Sequence, residues 1–234
     1  MFRHFVPSRW LHPLAPLMRL SPVYLPSAKQ HKMLFAASKF DNEYRPFVKG
    51  VKIQVATLDE IMSLDIEAFF EYVKSLQYGY RDKFGGIHIA SDKDFAEKAY
   101  SFSSPEEIVK NNCCWCWDLA EFIKLYCTRH GIICRSYFME YFSNELHQTH
   151  TQVFLYSQGK WSAAPDNCLG LVFGTPSFNE LEDCVQWFLS LFTGYLMSIL
   201  KEKYDMKNLF VKEYTCAFSA GISDDEYLSQ VRKR

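Results

Sequence analysis

The stretch from residue 116 to residue 166 constrains the fold more than any other part of the chain. Leu119, Phe122, Ile123 and Tyr126 recur at helical spacing, so residues 116–130 predict a helix with one apolar face. Gly131 is placed to terminate it, because glycine adopts the left-handed conformation that commonly ends helices. Ile132 to Tyr141 is then rich in β-formers. Thr149 to Tyr156 alternates, and Trp161 onward supplies a hairpin partner across Ser157-Gln158-Gly159-Lys160. A helix, a strand and a hairpin in that order predict an α+β domain, with the helix packed on an antiparallel sheet.

The flanking chain adds punctuation. Thr57 and Glu60 form a capping-box pattern after a strand-like run ending near Ala56, and Ile61, Leu64, Ala68, Phe69, Tyr72, Val73 and Leu76 continue at helical spacing through one or two helices. Gly79, Gly85 and Gly86 mark a loop, and residues 92–100 suggest a short helix. Ser104-Pro105-Glu106-Glu107 is a helix start, with a capping serine and proline at the first helical position, and Asn111-Asn112 ends that helix. Cys184 to Leu200 carries no charge, yet it is shorter than the roughly 20 apolar residues a membrane span needs. Its Val185, Phe188, Leu189, Phe192, Leu196 and Ile199 share one side, which predicts a helix packed on the core.

Composition bounds the function. Of 234 residues, 48% are apolar and 17% aromatic, ample for the core of one domain. A net charge of −1 calls for neither nucleic acid nor an anionic membrane as partner. Residues 1–40 differ from the rest. They hold Arg3, Arg9, Arg19, Lys29, Lys32 and Lys39, five prolines and no acidic residue, and are expected to form a poorly ordered basic tail before a domain spanning 41–234. An Arg-rich, acid-poor start also suits an organelle transit peptide, though the prolines break a continuous amphipathic helix. Prolines 7, 13 and 16 also interrupt any secretory apolar run. The eight cysteines lack the spacing of a small disulfide scaffold. A reducing, cytoplasmic setting is expected, with most thiols acting as buried small hydrophobes.

Three residues carry potential chemistry. Cys116 stands at the predicted helix start, where unpaired N–H groups and the positive end of the helix dipole stabilise a thiolate. His150 opens the alternating strand, and Asp166 lies on the facing one. Pairing Tyr156 with Trp161 sets His150 opposite residue 167, with Asp166 adjacent; a shift of one residue sets His150 opposite Asp166. Either register brings the two backbones within reach, and a carboxylate-held histidine is a base toward a thiol. Asp118 is expected to favour the helix dipole from the first turn. Trp115, Trp117 and Trp161 are candidates for an oxyanion and acyl-binding slot, with the Cys116 N–H as first oxyanion donor. His147 is the rival base.

The segment CWDLAEFIKLYCTRHGI resembles the nucleophile helix of the transglutaminase-like superfamily, in which a Cys-Trp-Asp start is common. HTQVFLYSQGKWSAAPD resembles that superfamily's histidine strand, its short turn and its acidic third member. The likeness is closest to a bacterial branch with a His-Thr pair and an LxYG-like sequence upstream, here Leu76-Gln77-Tyr78-Gly79, and it spans about Tyr78 to Phe173. It implies a papain-like fold and a Cys116-His150-Asp166 triad that hydrolyses, deamidates or transamidates a peptide or protein amide through a thioester. It implies no cofactor and no metal. One departure is Cys114, where the family often has glycine two residues before the nucleophile. Two other classes compete. The same fold can serve as a binding or scaffold module, and Cys113-x-x-Cys116 has the spacing of a thiol–disulfide oxidoreductase.

Overall fold

The computed structural model describes residues 57–89, 99–166 and 177–233. The expected basic tail, the strand-like run before Thr57 and residues 92–98 of the expected short helix lie outside these residues; Tyr100, at that helix's end, begins a strand instead.

The chain enters through two short helices, α1 (Leu58–Met62) and α2 (Ile66–Ser75). Thr57 caps the first through the reciprocal bonds its sequence announces: its hydroxyl accepts from the Glu60 N–H and the Glu60 carboxylate accepts from its own N–H. Asp65 caps the second by accepting from the Ala68 N–H at 2.8 Å. A small sheet follows, made of β1 (Gln77–Asp82), β2 (Ile87–Ile89), β3 (Tyr100–Ser101) and β4 (Cys113–Cys114). β1 is central, antiparallel to β2 and β3 and parallel to β4. Gly79 therefore lies inside a strand, whereas the glycine cluster predicted a loop there. Its role is clearance. A Cβ at Gly79 would stand 2.3 Å from the His88 carbonyl oxygen and 2.7 Å from Cys113 Sγ. Between β3 and β4, α3 (Pro105–Asn111) starts at the Ser104 capping box and stops at Asn112, which turns left-handed at φ 49°.

The nucleophile-helix candidate, α4, spans Cys116–His130. It ends in a Schellman turn: the Ile132 N–H donates to the Cys127 carbonyl at 2.9 Å and the Gly131 N–H to that of Thr128, with Gly131 at φ +64°. This turn drops the chain into β5 (Ile133–Phe142), which pairs antiparallel with β6 (His147–Ser157). β7 (Lys160–Ala163) returns along β6 in the register Tyr156 opposite Trp161, the first of the two expected. The main sheet runs β7-β6-β5-β8, with β8 (Leu209–Tyr214) antiparallel to β5.

The period of two along these strands separates two cores. Val153, Leu155 and Ala164 face α4 and pack with Leu119, Phe122 and Ile123. Met139, Tyr141, Phe154 and Ala163 face the other way, onto α5 (Leu181–Leu200), through Cys184, Phe188, Leu189 and Phe192. The architecture is α+β, with helices on both faces of the sheet. The helix reaching from Leu181 to Lys203, counting its last turn, is long and apolar enough by length and composition to cross a membrane. Here its apolar stripe covers the sheet, except that Ile199, expected on the buried side, is 48% exposed.

The C-terminal segment closes over the start of α4. Tyr227 of α6 (Asp224–Val231) stacks on Trp117 with centroids 4.2 Å apart, and its hydroxyl meets Thr151 Oγ1 at 2.8 Å. Arg232 donates through Nε to Glu140 Oε2 at 2.9 Å and through Nη2 to Oε1.

Candidate functional site

Cys116 is the first residue of α4 and is held there by its neighbours. Two residues upstream, Cys114 pairs in register with Tyr78, and Cys113 Sγ occupies the space that Gly79 leaves vacant. The small residue needed beside this strand is thus supplied across the sheet at Gly79, while position 114 carries a fully buried cysteine. The helix start is fixed by Asp118. Its Oδ2 accepts from the Trp115 N–H at 3.1 Å, and its Oδ1 accepts from the Ser103 N–H at 3.1 Å and from the Tyr100 hydroxyl. Complete burial pushes the Asp118 carboxyl up to about 7, and the three hydrogen bonds offset only part of that effect. Asp118 is therefore more than the dipole-favouring surface acid its position suggests. It ties α4 to β3 and to the strand leading into the helix.

His150 and Asp166 meet. The chain leaving β7 is anchored by the Ala164 N–H on the Val153 carbonyl at 2.8 Å and by Gln152 Nε2 on the Ala164 carbonyl at 2.9 Å. Pro165 and Asp166 follow directly, and Asp166 Oδ2 lies 3.0 Å from His150 Nε2. The imidazole stacks on Phe188, at 5.5 Å and 16°, and on Phe192 of α5, so it lies on the α5 face of the sheet, whereas its neighbour Thr151 points to the α4 face and walls the cavity that contains Cys116. A carboxylate beside one ring nitrogen and aromatic rings stacked on the imidazole hold its orientation.

Cys116 and Asp166 line one cavity together with Leu119, Ala120, Ile123, Thr151, Gln152, Val153 and Pro165. Its volume is about 10 Å³, close to what one water needs. Asp166 is thus common to both arrangements: its carboxylate meets the imidazole, and it walls the cavity that holds Cys116. Cys116 is 2% exposed, His150 1% and Asp166 4%.

The tryptophans take other places. Trp115 packs on Tyr78 and Tyr80, Trp117 on Tyr227 and Tyr100, and Trp161 on Tyr156. None of the three lines this cavity, whose walls come from α4, β6 and the chain that follows β7. His147, the rival base, has its own carboxylate: Nε2 lies 2.7 Å from Glu140 Oε1, beside Arg232. Burial by itself would raise the Glu140 carboxyl; the bonds from His147 and Arg232 outweigh it and leave it lowered. Cys113 and Cys116 are both buried, and among the described residues no group of three His, Cys, Asp or Glu side chains is arranged to hold a metal ion.

Residues that the sequence did not single out complete the surroundings. Thr151 and Gln152 wall the cavity, and Tyr227 reaches Thr151 from more than 70 residues away. The Thr151 and Gln152 positions were readable from their place beside His150; the Tyr227 contact had no local signal. Comparison with family models and with curated proteins finds no match for the chain.

Proposed function

We propose that the protein is a thiol-dependent acyl-transfer enzyme of papain-like, transglutaminase-like type, in which Cys116 is the nucleophile, His150 the base and Asp166 the residue that orients the base. The observation that carries this reading is the double placement of Asp166, at 3.0 Å from the imidazole and on the wall of the cavity containing the helix-start thiol. The order cysteine, histidine, acid on helix, strand and strand exit supports the same reading.

In this mechanism His150 serves as base for the Cys116 thiol, reached past Asp166, which meets the imidazole and walls the Cys116 cavity, and the thiolate adds to an amide carbonyl carbon. The resulting oxyanion takes a hydrogen bond from the Cys116 N–H at the helix start, where the helix dipole also favours negative charge. Collapse breaks the C–N bond, the imidazolium returns its proton to the leaving nitrogen, and a thioester remains on Cys116. Water resolves it to an acid, which is hydrolysis or deamidation according to the amide; an amine resolves it to a new amide, which is transamidation. The substrate class is a peptide or protein amide, and the chemistry needs no cofactor.

A second reading has its own observation. The three residues are almost wholly buried, and the cavity that Cys116 and Asp166 line is the size of one water, which suits a binding or scaffold module that keeps the fold without turnover. Incubation with p-nitrophenyl acetate, followed by intact mass and peptide mapping, separates the two. The enzyme reading expects one acetyl group on Cys116, lost in Cys116→Ser and strongly slowed in His150→Gln. Acetylation of other thiols with Cys116 untouched favours the binding module.

A further inference from the structure

At the far end of α4, two thiols that the proposed reaction does not use are placed together. Cys127 sits in the last turn of the helix and its carbonyl accepts the Ile132 N–H that closes the Schellman turn. That turn reverses the chain, so that Cys134, the second residue of β5, comes back beside the helix it has just left. Cys134 faces the α4 side, opposite Leu155 of β6, and packs against the apolar cluster that contains Cys127. The two side chains interact electrostatically, each shifting the ionisation of the other. Cys127 is fully buried, whereas Cys134 is partly exposed.

We propose that Cys127 and Cys134 form an oxidisable dithiol, a modification site at which hydrogen peroxide converts two thiols into a disulfide joining the end of α4 to the start of β5.

The two cysteines have different roles. The neighbouring Cys127 thiol favours the Cys134 thiolate, against the opposing effect of burial. Lys124, one turn back on α4, and Arg135, next along β5, act in the same direction, while Glu121 opposes them, and the net result lowers the Cys134 thiol. Cys127 is pushed the other way. Cys134 is accordingly the thiol that reacts first. Its thiolate attacks one peroxide oxygen, the O–O bond breaks, and hydroxide leaves, giving a sulfenic acid at Cys134. The Cys127 sulfur then attacks the Cys134 sulfur, the S–O bond breaks, and the hydroxyl leaves as water with the Cys127 proton. In balance, two thiols and one peroxide give one disulfide and two waters. Disulfide formation brings the two sulfurs to a bond length of about 2.05 Å.

Cys127 lies 11 residues along α4 from Cys116, about 16 Å at 1.5 Å per residue, so this pair is separate from the candidate nucleophile. It also differs from the Cys113-x-x-Cys116 pair that sequence spacing suggests.

The experiment is graded hydrogen peroxide treatment of the full chain, quenching with N-ethylmaleimide, digestion without reductant and mass spectrometry. The expected result is a peptide pair linked through Cys127 and Cys134, two hydrogens lighter than its reduced parts and released by dithiothreitol. In Cys127→Ser, dimedone added during oxidation should label Cys134; in Cys134→Ser, Cys127 should stay unlabelled. Treatment after urea unfolding, as a control, should abolish the preference for this pair. The proposal is overturned if folded protein links either cysteine mainly to another partner. It is equally overturned if Cys134 over-oxidises to the sulfinic acid without a linked peptide, or if both thiols remain alkylatable while other cysteines oxidise.

Discussion

The buried carboxyl of Asp118 makes stability depend on pH in a direction opposite to the usual carboxylate. An aspartate with an ordinary value of 3.8 when unfolded and about 7 when folded binds its proton more tightly in the native state. By linkage, the stability it contributes is fully present below about pH 3.8 and is lost as pH rises towards about 7. At about 1.4 kcal/mol per pH unit, the full span is worth about 4 kcal/mol. Other carboxylates titrate over the same range, so the readout is the difference between wild type and Asp118→Asn. Asparagine keeps an acceptor for the Tyr100 hydroxyl and the Ser103 N–H but turns an amide N–H₂ toward the Trp115 N–H, a constant cost of about 1–3 kcal/mol that does not titrate. Urea unfolding at intervals between pH 4 and pH 8 should show the wild-type advantage shrinking by about 4 kcal/mol as pH rises. A difference that stays flat across that range would refute the assignment of a native-state proton to Asp118.

Three further substitutions test the framework around the site. Gly79→Ala forces a methyl group against the His88 carbonyl and Cys113 Sγ and should cost about 1–3 kcal/mol, read as a lower urea midpoint at unchanged slope. Tyr227→Phe leaves the buried Thr151 hydroxyl without the partner 2.8 Å away and should cost about 1–2 kcal/mol by the same assay, while far-UV circular dichroism is unchanged. Cys113→Ser should leave acetylation of Cys116 by p-nitrophenyl acetate within about a factor of ten of wild type, since one sulfur suffices for nucleophilic chemistry. Equal loss in Cys113→Ser and Cys116→Ser would point to the Cys-x-x-Cys pair instead.

What the sequence made legible was the local part of the structure. Thr57 with Glu60 and Ser104 with Pro105 are start signals whose partners lie within a few residues, Cys116 and Gly131 bound one helix, and each appears in its expected place. The β6–β7 register was open by one residue, and the four-residue turn with Tyr156 on Trp161 decided it. The meeting of His150 and Asp166 follows from that short turn and from the anchoring of Ala164, so it too was nearly local. Gly79 was misread because a glycine that clears space for a neighbouring strand looks the same in sequence as one that makes a loop. The destinations of the tryptophans were not legible. Trp117 is claimed by Tyr227 and Trp161 by Tyr156 and the α5 side of the sheet, and such long-range stacking has no periodic signature. The burial of Asp118 was hidden for the same reason, since Tyr100 and Ser103 come from another segment.

The central claim is that Cys116 ionises as a nucleophile supported by the helix start and by His150. Thiolate absorbance near 240 nm, titrated against pH in folded protein, measures this without requiring a reagent to enter a buried site. The quantity is the difference between wild type and Cys116→Ser. The account predicts a Cys116 midpoint well below the ordinary thiol value of about 8.5, moving upward in His150→Gln. A Cys116 midpoint at or above that value, unmoved by the histidine substitution, would mark the thiol as an inert buried cysteine and contradict the mechanism.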